Sequence, residues 1–258
     1  MNRAPGSLGH DLRWLALALL AVLAWELAGG DRALSAWAGG AAGFPLRHPG
    51  TWASVLHEAG RVVGGVLLAA LLVDAAWPAP PWRAAEAAPG VARRRLVAAA
   101  TVATLLLVPA LKRLSQTSCP WDVVDYGGTV PWVSHWALGV ADGGPGHCFP
   151  SGHAVAAFAF LVPALAARTR HPRAARWLLA AVGALGLLFG AVQVLRGAHY
   201  ASHVLWSAWL CAALAVAVDA ALRLQAGFSL RGPTRRVRVG PTRAHDAHPV
   251  HSRTRSPP

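Results

Sequence analysis

Apolar residues gather into six runs along the chain, at approximately residues 12–28, 54–77, 94–111, 151–167, 176–195 and 203–224, separated by polar or arginine-rich breaks. Crossing a hydrocarbon core of about 30 Å takes roughly 17 to 25 helical residues. The pattern therefore predicts an all-α, polytopic membrane protein, with six transmembrane helices packed as a bundle. The first run follows Arg3 and Arg13 and is short enough to resemble a secretory signal. No small-x-small cleavage site closes it, and Trp14 and Trp25 bracket it like interface anchors, so it reads as a membrane helix. Residues 78–92, rich in Pro and Ala, read as a flexible cytoplasmic loop. Residues 229–258, rich in Arg, Pro, His and Ser, read as a disordered tail. The expected organisation is a six-helix membrane domain over residues 1–228, followed by a basic cytoplasmic tail over 229–258.

Composition fixes the solvent. Hydrophobic residues make up 55% of the chain, charged residues 14%, and mean hydropathy is +0.40. The net charge of +13 suggests nucleic acid at first sight, but the basic residues cluster beside apolar runs, as the positive-inside rule requires. Eighteen of the 24 Lys and Arg residues fall in the N-terminal tail, the second and fourth connections, and the C-terminal tail. The other six are Arg32, Arg47, Arg61, Lys112, Arg113 and Arg196. That split argues against nucleic acid as a partner and predicts both termini in the cytoplasm with an even number of crossings; the expected location is a multi-pass position in a bacterial inner membrane. Membrane lipids are the expected surroundings, with the tail touching anionic headgroups. His245, His248 and His251 sit among prolines and read as solvated rather than as metal ligands. The sequence contains no internal repeat or nucleotide-binding glycine loop, and it implies no cofactor. It leaves oligomeric state open.

The candidate chemistry lies in two segments. Pro150-Ser151-Gly152-His153 opens the fourth apolar run, and Arg196-Gly197-Ala198-His199-Tyr200-Ala201-Ser202-His203 bridges the fifth and sixth. Two readings of the first segment stand: a Ser that caps a helix, or an anion site where free N–H groups and a positive dipole end meet a histidine. From His153 the chain descends through about 15 residues and returns through about 20, each leg long enough to cross the core. His199 thus emerges on the same outer, periplasmic face as His153. Lys112, the only lysine, ends the third run on that face. Carboxylates are scarce there and the histidine pairs lack a third ligand, so no metal site is expected.

These residues resemble the type 2 phosphatidic acid phosphatase superfamily of integral-membrane lipid phosphatases. That family carries a Lys, six residues and Arg-Pro; then Pro-Ser-Gly-His; then Ser-Arg, five residues, His, three residues and Asp. The middle motif matches fully at Pro150 to His153. In the first, Lys112 and Pro120 match and Cys119 stands at the Arg position. In the third, His199 matches, while Val192, Gln193 and His203 stand at the Ser, Arg and Asp positions. The resemblance implies metal-independent hydrolysis of a lipid phosphomonoester or pyrophosphate through a phosphohistidine. His199 would attack phosphorus and His153 would protonate the leaving oxygen, while Lys112, Ser151 and the Gly152 N–H hold the other phosphate oxygens. His203, in the Asp position, would orient the His199 ring, and His203→Asp is expected to retain or improve activity. Arg196, three residues before His199, is the obvious substitute for the missing motif arginines; an interfacial charge is the alternative.

Cys119 and Cys148 share one outer connection, which an oxidising periplasm would allow to close as a disulfide; two free thiols are the alternative. Cys211 reads as a small packing residue. The connection from Lys112 to Pro150 also carries Cys119-Pro120-Trp121-Asp122, Tyr126-Gly127-Gly128 and Pro131 to Trp136, which suit the headgroup layer. His57, Glu58 and Arg61 open the second run on the same face. An ion pair between Glu58 and Arg61, with His57 hydrogen-bonded to it, is the simpler account, and a lining of the substrate entrance is the other. Two further functions remain open beside the phosphatase: a catalytically silent membrane binding or assembly protein of the same fold, and a lipid phosphotransferase.

Overall fold

The computed structural model describes residues 7–77 and 84–230. Its helices are α1 (Leu8–Leu27), α2 (Gly30–Ala38), α3 (Trp52–Ala76), α4 (Ala84–Lys112), α5 (Gly152–Phe158), α6 (Leu161–Ala167), α7 (Pro172–Leu195) and α8 (Ala201–Leu230). Five of them, α1, α3, α4, α7 and α8, contain stretches long and apolar enough to cross a membrane. The expected fourth span, 151–167, is not one helix. It is two seven-residue helices, α5 and α6, broken at Ala159–Phe160. The tail beyond Leu230 lies outside the described residues, as do residues 78–83 of the expected cytoplasmic loop. Residues 84–92 of that loop are helical and extend α4, a correction that follows from its alanines, which favour helix over a flexible link.

Local chemistry sets the ends of these helices. Ser7 Oγ accepts the His10 N–H at the start of α1, Thr51 Oγ1 accepts the Ser54 N–H at the start of α3, and Pro172 opens α7. The core between α4, α5, α7 and α8 is built from small and medium side chains: Val108, Ala154, Val155, Phe158, Val194, Val204 and the free Cys211. Such residues let helix backbones approach closely where no hydrophobic drive separates protein from lipid.

Polar groups concentrate at opposite ends of the bundle. At one end Asp219, buried on α8, takes Arg168 Nη2 and Arg223 Nε at 2.6 Å each, and Arg168 also binds Asp11 on α1. Arg93 of α4 donates to the Ala166 carbonyl beside them. Buried charges of this kind persist only when paired. The other end gathers the C-termini of α4 and α7 with the N-termini of α3, α5 and α8. It is there that Lys112, His153 and His199 lie.

The helix α2 was not among the expected elements. Its Asp31 accepts the Ser202 N–H at 2.8 Å and the Ser202 hydroxyl, and also the Trp25 indole at 2.9 Å. A carboxylate from α2 thereby caps α8, the helix that begins two residues after His199.

Candidate active site

His199 sits in the short segment between α7 and α8 and is 2% exposed. The segment turns at Gly197, whose φ of +71° suits glycine and whose Cβ would meet Phe44 at 2.3 Å if it had one. The backbone N–H groups of Ala198 and His199 both donate to the Gln193 carbonyl, at 2.9 and 3.3 Å, closing the turn over the end of α7. The Gly197 carbonyl accepts the Trp121 N–H at 3.0 Å, which ties the turn to the long outer connection.

The two histidine segments are stitched to each other through the backbone. The Ser151 N–H donates to the His203 carbonyl at 3.1 Å, and the Ser207 hydroxyl donates to the Ser151 carbonyl at 2.9 Å. Cys148 adds two more links: its carbonyl lies 3.1 Å from His203 Nδ1, and its Sγ lies 3.7 Å from His199 Nδ1. Cys119 and Cys148 are joined as a disulfide. Their sulfurs and a ring nitrogen of His199 lie within 4.8 Å of one another. With both thiols in the disulfide, that cluster offers a metal no thiolate.

The residues singled out from the sequence converge. Lys112, His203 and His153 all bear electrostatically on the His199 ring, and Lys112 and Arg196 bear on His153. Burial, followed by the Lys112 charge and the two neighbouring histidines, holds His199 well below the usual imidazole range; a hydrogen bond to the Cys148 carbonyl works the other way. His199 is therefore neutral at neutral pH, the form that has a lone pair. Ser151 is fully buried and does not cap α5, and its Oγ has no hydrogen-bond partner. Arg196 Nε is likewise buried without a partner. Space lies open around the Cα of Gly152. Unused donors, open space, a cation beside the neutral His199 imidazole and a second beside His153 form a setting suited to a phosphoryl group.

His203 corrects one expectation. Its ring meets His199 edge-on with centroids 5.9 Å apart, and its Nδ1 turns to the Cys148 carbonyl. It holds the loop behind His199 rather than the ring of His199 itself. An aspartate at this position would set a carboxylate against a carbonyl oxygen.

Several contributing residues were not singled out as site groups. Glu26, at the end of α1, accepts the Trp136 and Trp206 indoles at 3.0 and 2.9 Å and lies 3.0 Å from His135 Nε2. His135 stacks on Phe149 at 4.2 Å and meets His203 edge-on at 5.2 Å, so the outer loop folds over the histidines. Burial pushes His135 below its ordinary range despite Glu26 and Asp31. A cavity of about 360 Å³ opens beside His203, walled by Trp132, Trp136, Tyr200, Glu26 and Asp31, among others. Asp142 fixes the same loop by accepting the Ser118 N–H and hydroxyl, at 2.5 and 2.9 Å, next to Cys119. His57 has the expected pairing, with Nδ1 3.1 Å from Glu58 and Arg61 3.3 Å from the same carboxylate. Its ring also lies against His153.

Residues 95–223, half of the chain, match the family model of the PAP2 superfamily. The chain belongs to the PAP2 superfamily. The matched stretch runs from the start of the α4 span through most of α8 and contains every histidine of the site except His57 and no part of α1 or α2. Members of the PAP2 superfamily are generally phosphatases, so membership supports a phosphoester hydrolase. Searches among curated proteins and solved structures returned no match.

Proposed function

We propose that this PAP2 protein is a metal-independent lipid phosphatase, acting on a phosphomonoester or pyrophosphate at the outer face of a bacterial inner membrane. The observation that carries the reading is the gathering of Lys112 and His153 about a buried, neutral His199, with Arg196 bearing on His153. With Nδ1 turned to Cys148, Nε2 is the nitrogen free to attack. A P–N bond forms as the P–O bond to the lipid breaks, and His153 passes its proton to the departing oxygen. Lys112, Arg196, the Ser151 hydroxyl and the Gly152 N–H stabilise the charge on the remaining oxygens. Water then attacks phosphorus, His153 takes its proton, and inorganic phosphate leaves with His199 restored.

The test is phosphate release from detergent-solubilised protein over a panel of phosphatidic acid, phosphatidylglycerol phosphate, polyprenyl pyrophosphate and lipid A phosphates. Release is expected from at least one, unchanged by EDTA. Loss of activity on chelation overturns the metal-free mechanism. Silence across the panel favours the binding or assembly reading, and phosphate appearing on a second lipid marks a phosphotransferase.

The orientation is a separate expectation, supported by the division of basic residues. Reporter fusions after Arg95 and after Arg176 should report cytoplasm, and a fusion near Gly143 should report the outside. An external signal from the Arg176 fusion reverses the proposed face of the site.

A further inference from the structure

We infer that the arginine-lined cavity at the end of the bundle opposite His199 binds the phosphate of an anionic phospholipid, with the first part of the lipid's chain laid along α7. The inference goes beyond the hydrolytic reading and uses none of its residues. The cavity holds about 790 Å³, within the range of pockets that take whole small molecules. Arg168 from the α6–α7 connection, Arg176 of α7 and Arg223 of α8 line it. Asp11 of α1 is the one carboxylate on its wall among the described residues. Segments far apart in sequence therefore bring three guanidinium groups to one space.

The pairing of these groups leaves positive charge over. Asp11 has both oxygens taken by Arg168. Asp219, buried with its side chain 1% exposed, accepts Arg168 Nη2 and Arg223 Nε through a single oxygen, Oδ2. The terminal nitrogens of Arg223 make no hydrogen bond among the described residues, and Arg168 Nε is buried without a partner. Arg176 is exposed and has neither hydrogen bond nor ion pair among the described residues. Three guanidinium groups thus meet two carboxylates, and the forks of Arg176 and Arg223 stay unused. Such a fork matches two oxygens of a phosphate.

The rest of the wall separates a phospholipid from a free phosphate ion. Pro172, Arg176 and Leu179 are spaced i, i+4 and i+7 and share one face of α7, and all three line the cavity. From Pro172 to Leu179 that wall runs about 10 Å away from the arginine end towards the middle of the span. A phosphate ion would engage the arginines and leave this apolar strip uncovered; a phospholipid covers both. Basic pockets between membrane helices suit anionic headgroups on the cytoplasmic side, which is the side of this cavity in the orientation proposed above. The fitting ligand is a phosphate diester such as phosphatidylglycerol, which offers no phosphomonoester to hydrolyse and so is distinct from the proposed substrate.

The experiment is the thermal midpoint of the full chain in detergent, with added phosphatidylglycerol, phosphatidylethanolamine of the same chains, or inorganic phosphate. Phosphatidylglycerol should raise the wild-type midpoint by about 3 to 6 °C, because a ligand held only by the folded state stabilises it. The other two should raise it by less than about 1 °C. Arg176→Gln breaks no contact among the described residues, so it should keep the lipid-free midpoint and lose at least half of the phosphatidylglycerol shift. Arg223→Gln should lose it too; if that variant fails to fold, Arg176→Gln carries the test. Arg173→Gln, exposed at the same end but outside the cavity wall, should keep the full shift. A wild type that phosphatidylglycerol does not shift overturns the inference. So does an equal shift from inorganic phosphate, which makes the cavity a plain anion site, or from phosphatidylethanolamine, which makes it an apolar groove. An equal loss in Arg173→Gln overturns it as well, since the attraction would then be diffuse surface charge. The midpoint is read without turnover, so a wild type that releases no phosphate sinks the hydrolytic reading and leaves this one to its own result.

Discussion

His199→Ala is expected to abolish turnover, with phosphate release falling by at least about 10⁴-fold, since the covalent step loses its nucleophile and nothing nearby replaces it. His203 is buried too, but its Nδ1 faces the Cys148 carbonyl and its ring meets His199 edge-on. A phosphohistidine trapped by acid-free quenching should therefore vanish in His199→Ala and persist in His203→Ala. The His203→Ala rate should fall by about ten- to a hundredfold, as the support behind His199 slackens. His203→Gln, which keeps an N–H donor for that carbonyl, should outperform His203→Asp, the reverse of the expectation drawn from the family pattern. The pH dependence has a definite sign. Attack needs the neutral ring, and burial with the Lys112 charge holds His199 well below the ordinary imidazole range. The rate should therefore hold as pH falls through about 6.5 and decline only well below it. An acid limb centred near 6.5, or an adduct that survives in His199→Ala and disappears in His203→Ala, would reverse the assignment.

Removing the disulfide is expected to have the second largest effect. Cys119 and Cys148 close a separation of 29 residues, which in the chain-entropy model corresponds to about 3 to 4 kcal/mol of stability. The position of the bridge adds a consequence for activity. Cys119 precedes the Pro120–Asp122 turn, and Trp121 in that turn donates to the Gly197 carbonyl; Cys148 contacts both His199 and His203. Cys119→Ser with Cys148→Ser should lower the thermal midpoint in detergent by several degrees and reduce kcat at temperatures where the protein remains folded. Thiol labelling of the unreduced, denatured wild type should modify Cys211 alone. Labelling of all three cysteines, or a double variant with unchanged midpoint and rate, would contradict the role given to the bridge.

The sequence exposed the parts of this protein that depend on composition and spacing. The runs at 54–77, 176–195 and 203–224 lie within a few residues of α3, α7 and the start of α8, because a lipid-facing helix must stay apolar for its whole length. Spacing also brought Lys112, His153 and His199 to one end, because the two legs between His153 and His199, α5 with α6 and then α7, each approach the length needed to cross a bilayer. Short amphipathic and broken elements escaped it. α2 mixes Asp31 and Arg32 with Leu34 and Trp37 and spans only nine residues, too few to stand out beside the long runs. The break at Ala159–Phe160 lies inside an unbroken apolar stretch, so hydropathy carries no mark of it.

Side-chain partnerships between distant segments were decided by the tertiary structure alone. Glu58 and Arg61 are three apart and their pairing is readable from the helix period, whereas the stacking of His57 on His153 depends on α3 reaching α5 through Gly64. His203 stands where an aspartate is expected four residues after His199, and the spacing alone assigns it that role. Only the fold brings the Cys148 carbonyl to its Nδ1 and gives it another. The sequence determined which segments enter the membrane and which residue types gather at one end, since both follow from length, polarity and period along a single chain. Which of those residues touch was decided by close packing between helices, where a missing Cβ or a backbone carbonyl far away in sequence sets the distance.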